Sequence, residues 1–172
     1  WIDYLEDKSE EITKDDFILY TLQPLAIHVL FTDNLIESIR NSNIKWFIRL
    51  HPRQFNQLQD IISFLNDNGL TKFVEIDLAS KLPLPTLMKN CLLHISNYSG
   101  AIIEAQLLGK FSIIINEIGK YNFKNIINLK QAIYLNSNEI TADLIRKYSN
   151  NSDKVQKEVE KSNYLNFFDN EY

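Results

Sequence analysis

Short apolar runs alternate with amphipathic stretches along this chain, the pattern of βα units built around a mainly parallel sheet. Phe17-Ile18-Leu19-Tyr20-Thr21-Leu22 reads as the first strand, ended by Gln23-Pro24. Over residues 26–41, Ile27, Leu30, Phe31, Leu35, Ile36 and Ile39 fall on one face of a helix. Residues 46–50 form the second strand, closed by His51-Pro52-Arg53. Residues 55–68 read as helix with Leu58, Ile61, Ile62 and Leu65 inward, and Gly69 stands where a C-terminal cap belongs.

Residues 73–76 are a third, shorter strand, and two prolines keep the middle of the 79–85 loop out of a helix before a short one at 86–90. The fourth strand, 92–95, leads through Ser96-Asn97-Tyr98-Ser99 into a helix over 100–108 that stops at Gly109-Lys110. Residues 111–116 are apolar enough for a strand covered on both faces. A short mixed segment, a sixth strand at 132–135 and a helix over 138–148 complete the pattern. The fold class is α/β: a Rossmann-like, doubly wound, mainly parallel sheet of about six strands with helices on both faces. Residues 1–16 read as a linker or the end of a preceding element, 17–150 as the domain, and 151–172 as a C-terminal helix and aromatic tail packing on it.

At 172 residues, 45% of them hydrophobic, the chain suits one compact domain with a real core. A net charge of −4 gives no footprint for nucleic acid, although a local basic pocket for a small anion is compatible with it. The single cysteine, Cys91, excludes an internal disulfide framework and reads as a packed core thiol. No apolar run is long enough to span a membrane, and the acidic N-terminal residues do not resemble a signal peptide, so the expected location is the cytoplasm, including the inner face of the membrane by peripheral association. Without an initiator methionine, and with Trp1-Ile2-Asp3-Tyr4-Leu5 resembling the end of a helix, the chain reads as a piece of something longer.

In a doubly wound sheet, ligands sit outside the carboxyl ends of the strands, which gathers the loops at Gln23, His51, 77–85, 96–100 and 116–120 on one rim. Ser96 and Ser99 flank a turn into a helix, where hydroxyls and exposed N–H groups suit a phosphate. Ser99 reads equally as a plain helix cap worth about 1 kcal/mol. Gly100 permits close approach of a ligand. Glu104, one turn above Gly100 in apolar surroundings, needs a partner, and a ribose diol or Lys110 would serve. His51 lies at a strand end with proline fixing the turn, bracketed by Arg49 and Arg53, which could neutralise phosphate. Glu117 and Lys120 stand as accessory candidates on the neighbouring loop. His28 and His94 read as structural. No metal-ligand spacing appears, and neither a Gly-rich phosphate loop nor a Gly-x-Ser-x-Gly elbow is present, so no cofactor or metal is expected.

Leu50-His51-Pro52-Arg53, His94-Ile95-Ser96-Asn97-Tyr98-Ser99-Gly100-Ala101-Ile102-Ile103-Glu104-Ala105 and Leu108-Gly109-Lys110 before a buried strand together resemble the C-terminal, donor-binding half of a GT-B glycosyltransferase. The similarity is to bacterial capsule and surface-polysaccharide enzymes, including sialyltransferases with a His-Pro motif and a serine motif and CDP-glycerol glycerophosphotransferases. UDP-N-acetylglucosamine 2-epimerases share the serine/glycine turn and the following glutamate. The resemblance covers residues 17–135 and implies a nucleotide-activated sugar as ligand, with His51, Ser96, Ser99 and Gly100 at the phosphate and Glu104 at the ribose. It implies that His51 acts in catalysis by stabilising charge on the leaving phosphate and that an N-terminal domain outside this chain binds the acceptor; the fold, rather than a matched motif, puts the base against the 81–85 loop. Gln23-Pro24 departs from the glycine-rich turn of many relatives, so no sugar contact is carried over there. An epimerase-like domain using Glu117 and His51 as acid and base, and a flavodoxin-like interaction domain that binds nothing at these loops, are the alternatives.

Overall fold

The structure is a computed structural model and describes residues 16–150. Expectations for 1–15 and 151–172, including the C-terminal helix and tail, lie outside the described residues. Six strands, β1 (Phe17–Thr21), β2 (Lys45–Arg49), β3 (Val74–Glu75), β4 (Leu93–Ser96), β5 (Ser112–Ile114) and β6 (Ala132–Tyr134), form one sheet in the order β3-β2-β1-β4-β5-β6, every pair parallel. This is the Rossmann-like α/β fold. Strand order reverses between β1 and β4, where Thr21 is level with Ser96; in sheets of this kind the crevice outside such a reversal is where ligands bind.

Both faces of the sheet are apolar because helices cover both. Ile18, Tyr20, Trp46, Ile48, Leu93, Ile95 and Ile113 pack against Leu30 of α1 (Ile27–Leu30), Leu35 and Ile39 of α2 (Asp33–Asn41), Ile61 and Leu65 of α3 (Leu58–Asp67) and Ile145 of α9 (Ala142–Asn150). The alternate residues Phe17, Leu19 and Phe47 face Ala79 of α4 (Asp77–Lys81), Leu87 and Met88 of α5 (Leu84–Asn90), and Ala101 and Ala105 of α6 (Ala101–Leu107). Two short helices, α7 (Glu117–Asn122) and α8 (Lys124–Asn128), make up the mixed segment, and Ile126 packs on Ile114. Cys91 is buried and burial pushes its thiol up to about 12, as suits a packed core group. Among the described residues no helix is long and apolar enough to cross a membrane.

The structure corrects several boundaries, each for a local reason. The helix expected over 26–41 breaks between α1 and α2: the Tyr20 hydroxyl donates to Leu30 O at 2.8 Å, and Phe31 leaves helical geometry (φ −126°, ψ 81°) to pack its ring between Tyr20 and Phe64. The helix expected from Phe55 begins as a 3-10 turn, Pro52–Gln57, and becomes α3 only at Leu58. Ile62, expected inward, is exposed; Ile61 and Leu65 take the core positions, and Ile62 instead lines an apolar groove of about 190 Å³ with Phe55 and Leu58. Around the two prolines the chain is helical on both sides, and only Leu82 and Pro83 are extended (ψ 151° and 135°), while Pro85 sits in the first turn of α5, where its missing N–H costs nothing. The last helix starts at Ala142 rather than 138. Gly69 and Gly109 end their helices with φ of 65° and 67°, the left-handed cap that glycine adopts without strain.

Candidate functional site

Polar side chains are rare inside this sheet, and those present converge on the crevice. His94 is wholly buried in β4, its Nδ1 2.8 Å from Ser112 Oγ and its Nε2 2.9 Å from Thr21 Oγ1. The protons can be placed by elimination. Ser96 Oγ donates to the Thr21 carbonyl at 3.0 Å, which can only accept, so Thr21 Oγ1 donates to Ser96 Oγ at 3.0 Å. His94 must then donate from Nε2 to Thr21, and Ser112 donates to Nδ1. The imidazole is neutral: burial pulls it down from 6.5 to about 3.

This relay ends at the turn that leads into α6. Ser96 Oγ also accepts the Ser99 N–H at 3.4 Å, so its proton and both acceptor positions are engaged within the protein and its side chain is fully buried. The structure therefore places Ser96 beneath the rim, as a brace. Asn97 anchors the same turn toward the opposite face of the sheet, donating from Nδ2 to the Tyr20 hydroxyl at 3.1 Å. Burial raises the Tyr20 pKa and outweighs the Asn97 hydrogen bond, which lowers it, so the hydroxyl stays protonated and donates to Leu30 O. From a third side Gly119 of α7 packs on the Asn97 backbone so closely that a Cβ there would lie 2.1 Å from Asn97 O and 2.6 Å from Ile114 Cγ2.

The far end of the turn is open. Ser99 is half-buried and precedes Gly100, whose backbone is already helical (φ −55°, ψ −20°) just before α6; the Ser99 Oγ accepts the Ala101 N–H at 3.2 Å. Gly100 is exposed, has φ −55°, and a Cβ on it would meet nothing within 4 Å. The fold does not require a glycine there. Glu104 is half-buried one turn further on. Lys110, the alternative to a ribose diol as its partner, donates to Cys91 O at 3.0 Å instead, and no hydrogen bond or ion pair among the described residues engages the Glu104 carboxylate.

The neighbouring rim is set by the 51–54 turn. His51 caps the 3-10 helix, its Nδ1 accepting the Arg53 N–H at 3.1 Å, so the neutral ring carries its proton on Nε2 as a donor. Arg49 is occupied: it donates to Ala79 O at 2.7 Å and Leu82 O at 2.6 Å, pinning the 79–82 segment to β2. Burial lowers its pKa and the charge of Glu104 raises it again, which places the two side chains within electrostatic reach. Arg53 is exposed. Glu117 is exposed at the start of α7, and Lys120 lies over the Tyr134 ring at 4.7 Å. His28 is exposed on α1. Among the described residues no group of three or more His, Cys, Asp or Glu is placed to hold a metal ion.

The sequence singles out the turn, His51 and Glu104 as candidates, but not Thr21, Asn97, Gln54 or Gly119. The one available signal was a glycine inside a helical segment at 119, which marks close backbone approach.

No family model and no curated protein matches this chain by sequence. By structure it is similar to UDP-GlcNAc 2-epimerase of Methanocaldococcus jannaschii, solved in complex with UDP-GlcNAc and UDP, with a TM-score of 0.61 and 18% identity over 94% of this chain and 49% of that one. It is similar to HepE of Anabaena, solved with UDP and glucose (TM-score 0.60, 15% identity, 92% of this chain and 48% of that one). The C-terminal CMP-Kdo binding domain of WaaA from Acinetobacter baumannii gives a TM-score of 0.60 at 12% identity, over 93% of this chain and 96% of that one. At these identities the likeness is one of fold, and the chain spans about half the length of the first two structures.

Two outcomes follow from the packing. Gly119→Ala should cost about 1–3 kcal/mol by forcing Asn97 aside, whereas Gly100→Ala should stay within about 0.5 kcal/mol of the parent, both read by urea denaturation. For His94, the folded-state pKa near 3 lies below the unfolded 6.5, so the unfolded chain takes up the proton first and stability is lost as pH falls through that window. Between pH 7 and pH 5 the parent should lose about 2 kcal/mol more than His94→Gln does; equal losses would show that His94 is not held neutral.

Proposed function

We propose that this domain binds the nucleotide-activated donor of a glycosyltransferase of the GT-B type, which moves the sugar to a surface or capsular polysaccharide. The observation that carries the reading is Glu104, a half-buried carboxylate beside the strand-order crevice that the protein leaves without a hydrogen-bonding partner, one turn above a glycine the fold does not need. A carboxylate in that position accepts two hydroxyl protons of a ribose diol. The missing side chain of Gly100 leaves room for a phosphate against its N–H and the Ser99 hydroxyl. His51 donates from Nε2 to a phosphate oxygen, where it stabilises the charge that grows as the sugar departs. Ser96 acts through Ser99, by holding the turn, and Arg49 acts by pinning the 79–82 segment, which leads into the 81–85 loop against which the base would lie. Arg53, exposed beside His51, adds positive charge to the same rim.

Support also comes from the fold neighbours: the epimerase and HepE structures hold UDP, and the WaaA domain is named for CMP-Kdo binding. The transfer itself belongs to a larger protein in this reading, with the acceptor side supplied by an N-terminal domain outside the chain and the whole protein working at the cytoplasmic face of a membrane. Likeness to the epimerase favours a second reading, sugar-nucleotide epimerisation at the same donor site, with Glu117 and His51 as the acid and base.

Calorimetry with CMP, CDP, UDP and GDP tests the shared premise. At least one should bind, and Glu104→Gln should weaken it by about 1.5–3 kcal/mol, the worth of hydrogen bonds to a charged group. Folded protein that binds none of the four would overturn both enzyme readings in favour of an interaction domain.

A further inference from the structure

Gln54, at the third position of the 3-10 helix Pro52–Gln57, is wholly buried. Its Oε1 accepts the His51 N–H at 3.1 Å, and its Nε2 has no hydrogen-bond partner. Turning the amide over would bring two donors face to face, so the His51 backbone sets its orientation. A buried amide donor left without an acceptor costs about 1–3 kcal/mol. Methionine would fill the same space without that cost but would leave the His51 N–H without its acceptor, so what the glutamine supplies here is that one hydrogen bond.

The other half of the turn explains it. The Gln54 bond and the Arg53 N–H to His51 Nδ1 bond form a reciprocal capping box, with Pro52 fixing the first helical position between them. Together they hold the His51 backbone extended (φ −67°, ψ 143°) and keep the Nδ1 lone pair inside the turn. The ring is left with Nε2–H as its single donor. We infer that Gln54 is a positioning residue, which acts through His51 to present that Nε2–H at the rim. Its significance for ligand binding rests on the donor-site reading above.

The full chain, uniformly labelled with 15N, carries the test, since it contains only three histidines. In the parent, a through-hydrogen-bond coupling between Arg53 N and His51 Nδ1 should be observed, with His51 as the Nε2–H tautomer. Gln54→Met, which packs but cannot accept, should lose the coupling and bind CDP or UDP about tenfold more weakly. Gln54→Glu, which restores an acceptor at that position, should regain both. The His94 signals should be unchanged in every variant, and they report separately on folding. A parent without the coupling, a Gln54→Met variant that keeps it, or a Gln54→Glu variant that behaves as Gln54→Met would overturn the inference. If the couplings follow the expected pattern but no nucleotide binds to any form, the positioning role of Gln54 stands and the donor-site reading falls.

Discussion

The directed chain of hydrogen bonds from Ser112 through His94 and Thr21 to Ser96 is the constraint on which the site depends. It crosses three strands in the interior of the sheet, where any one of its groups left unpaired would cost about 1–3 kcal/mol. Its groups are all paired, and the chain terminates on the residue that receives the Ser99 N–H. Apolar residues at these positions would still make a sheet. They would not fix the level at which β4 hands over to the turn, and the open end of that turn is where the chemistry is available.

Two further anchors make the turn a rigid fixture. Asn97 reaches through to Tyr20 on one face, and Gly119 seals the Asn97 backbone from the side of α7. The His51 rim is built differently, as a capping box on a 3-10 turn, and the 79–82 segment is held by Arg49. Three loops of an α/β rim are thus immobilised by three separate polar devices. What they leave unengaged, Gly100 and the Glu104 carboxylate, is small and well defined.

Much of this was legible in the sequence. Runs such as 17–22 and 111–116, apolar on both faces, announce strands of a covered parallel sheet, and helices of 3.6 periodicity between them announce the winding. Periodicity could not show where a helix breaks for a tertiary reason, as at Phe31, nor that Ile62 turns to a groove while Ile61 fills the core. The turn and Glu104 stood out because hydroxyl, glycine and acid are unusual neighbours of an apolar strand. The division of labour within the turn was invisible, because Ser96 and Ser99 are alike in sequence and only the partners Thr21 and His94, distant along the chain, make Ser96 a brace. Gln54 carries no mark in the sequence, and only its complete burial sets it apart from the polar residues around it.

The proposed donor site requires one nucleotide to bridge the Ser99–Gly100 turn, Glu104 and the His51 rim. Mapping backbone amide shifts of the 15N-labelled chain during titration with CDP or UDP tests it most directly. Ser99, Gly100, Ala101 and Arg53 should shift together along one saturable curve, while amides lining the groove at Phe55 and Ile62 should not. Shifts confined to that groove, or scattered with no common saturation, would contradict it.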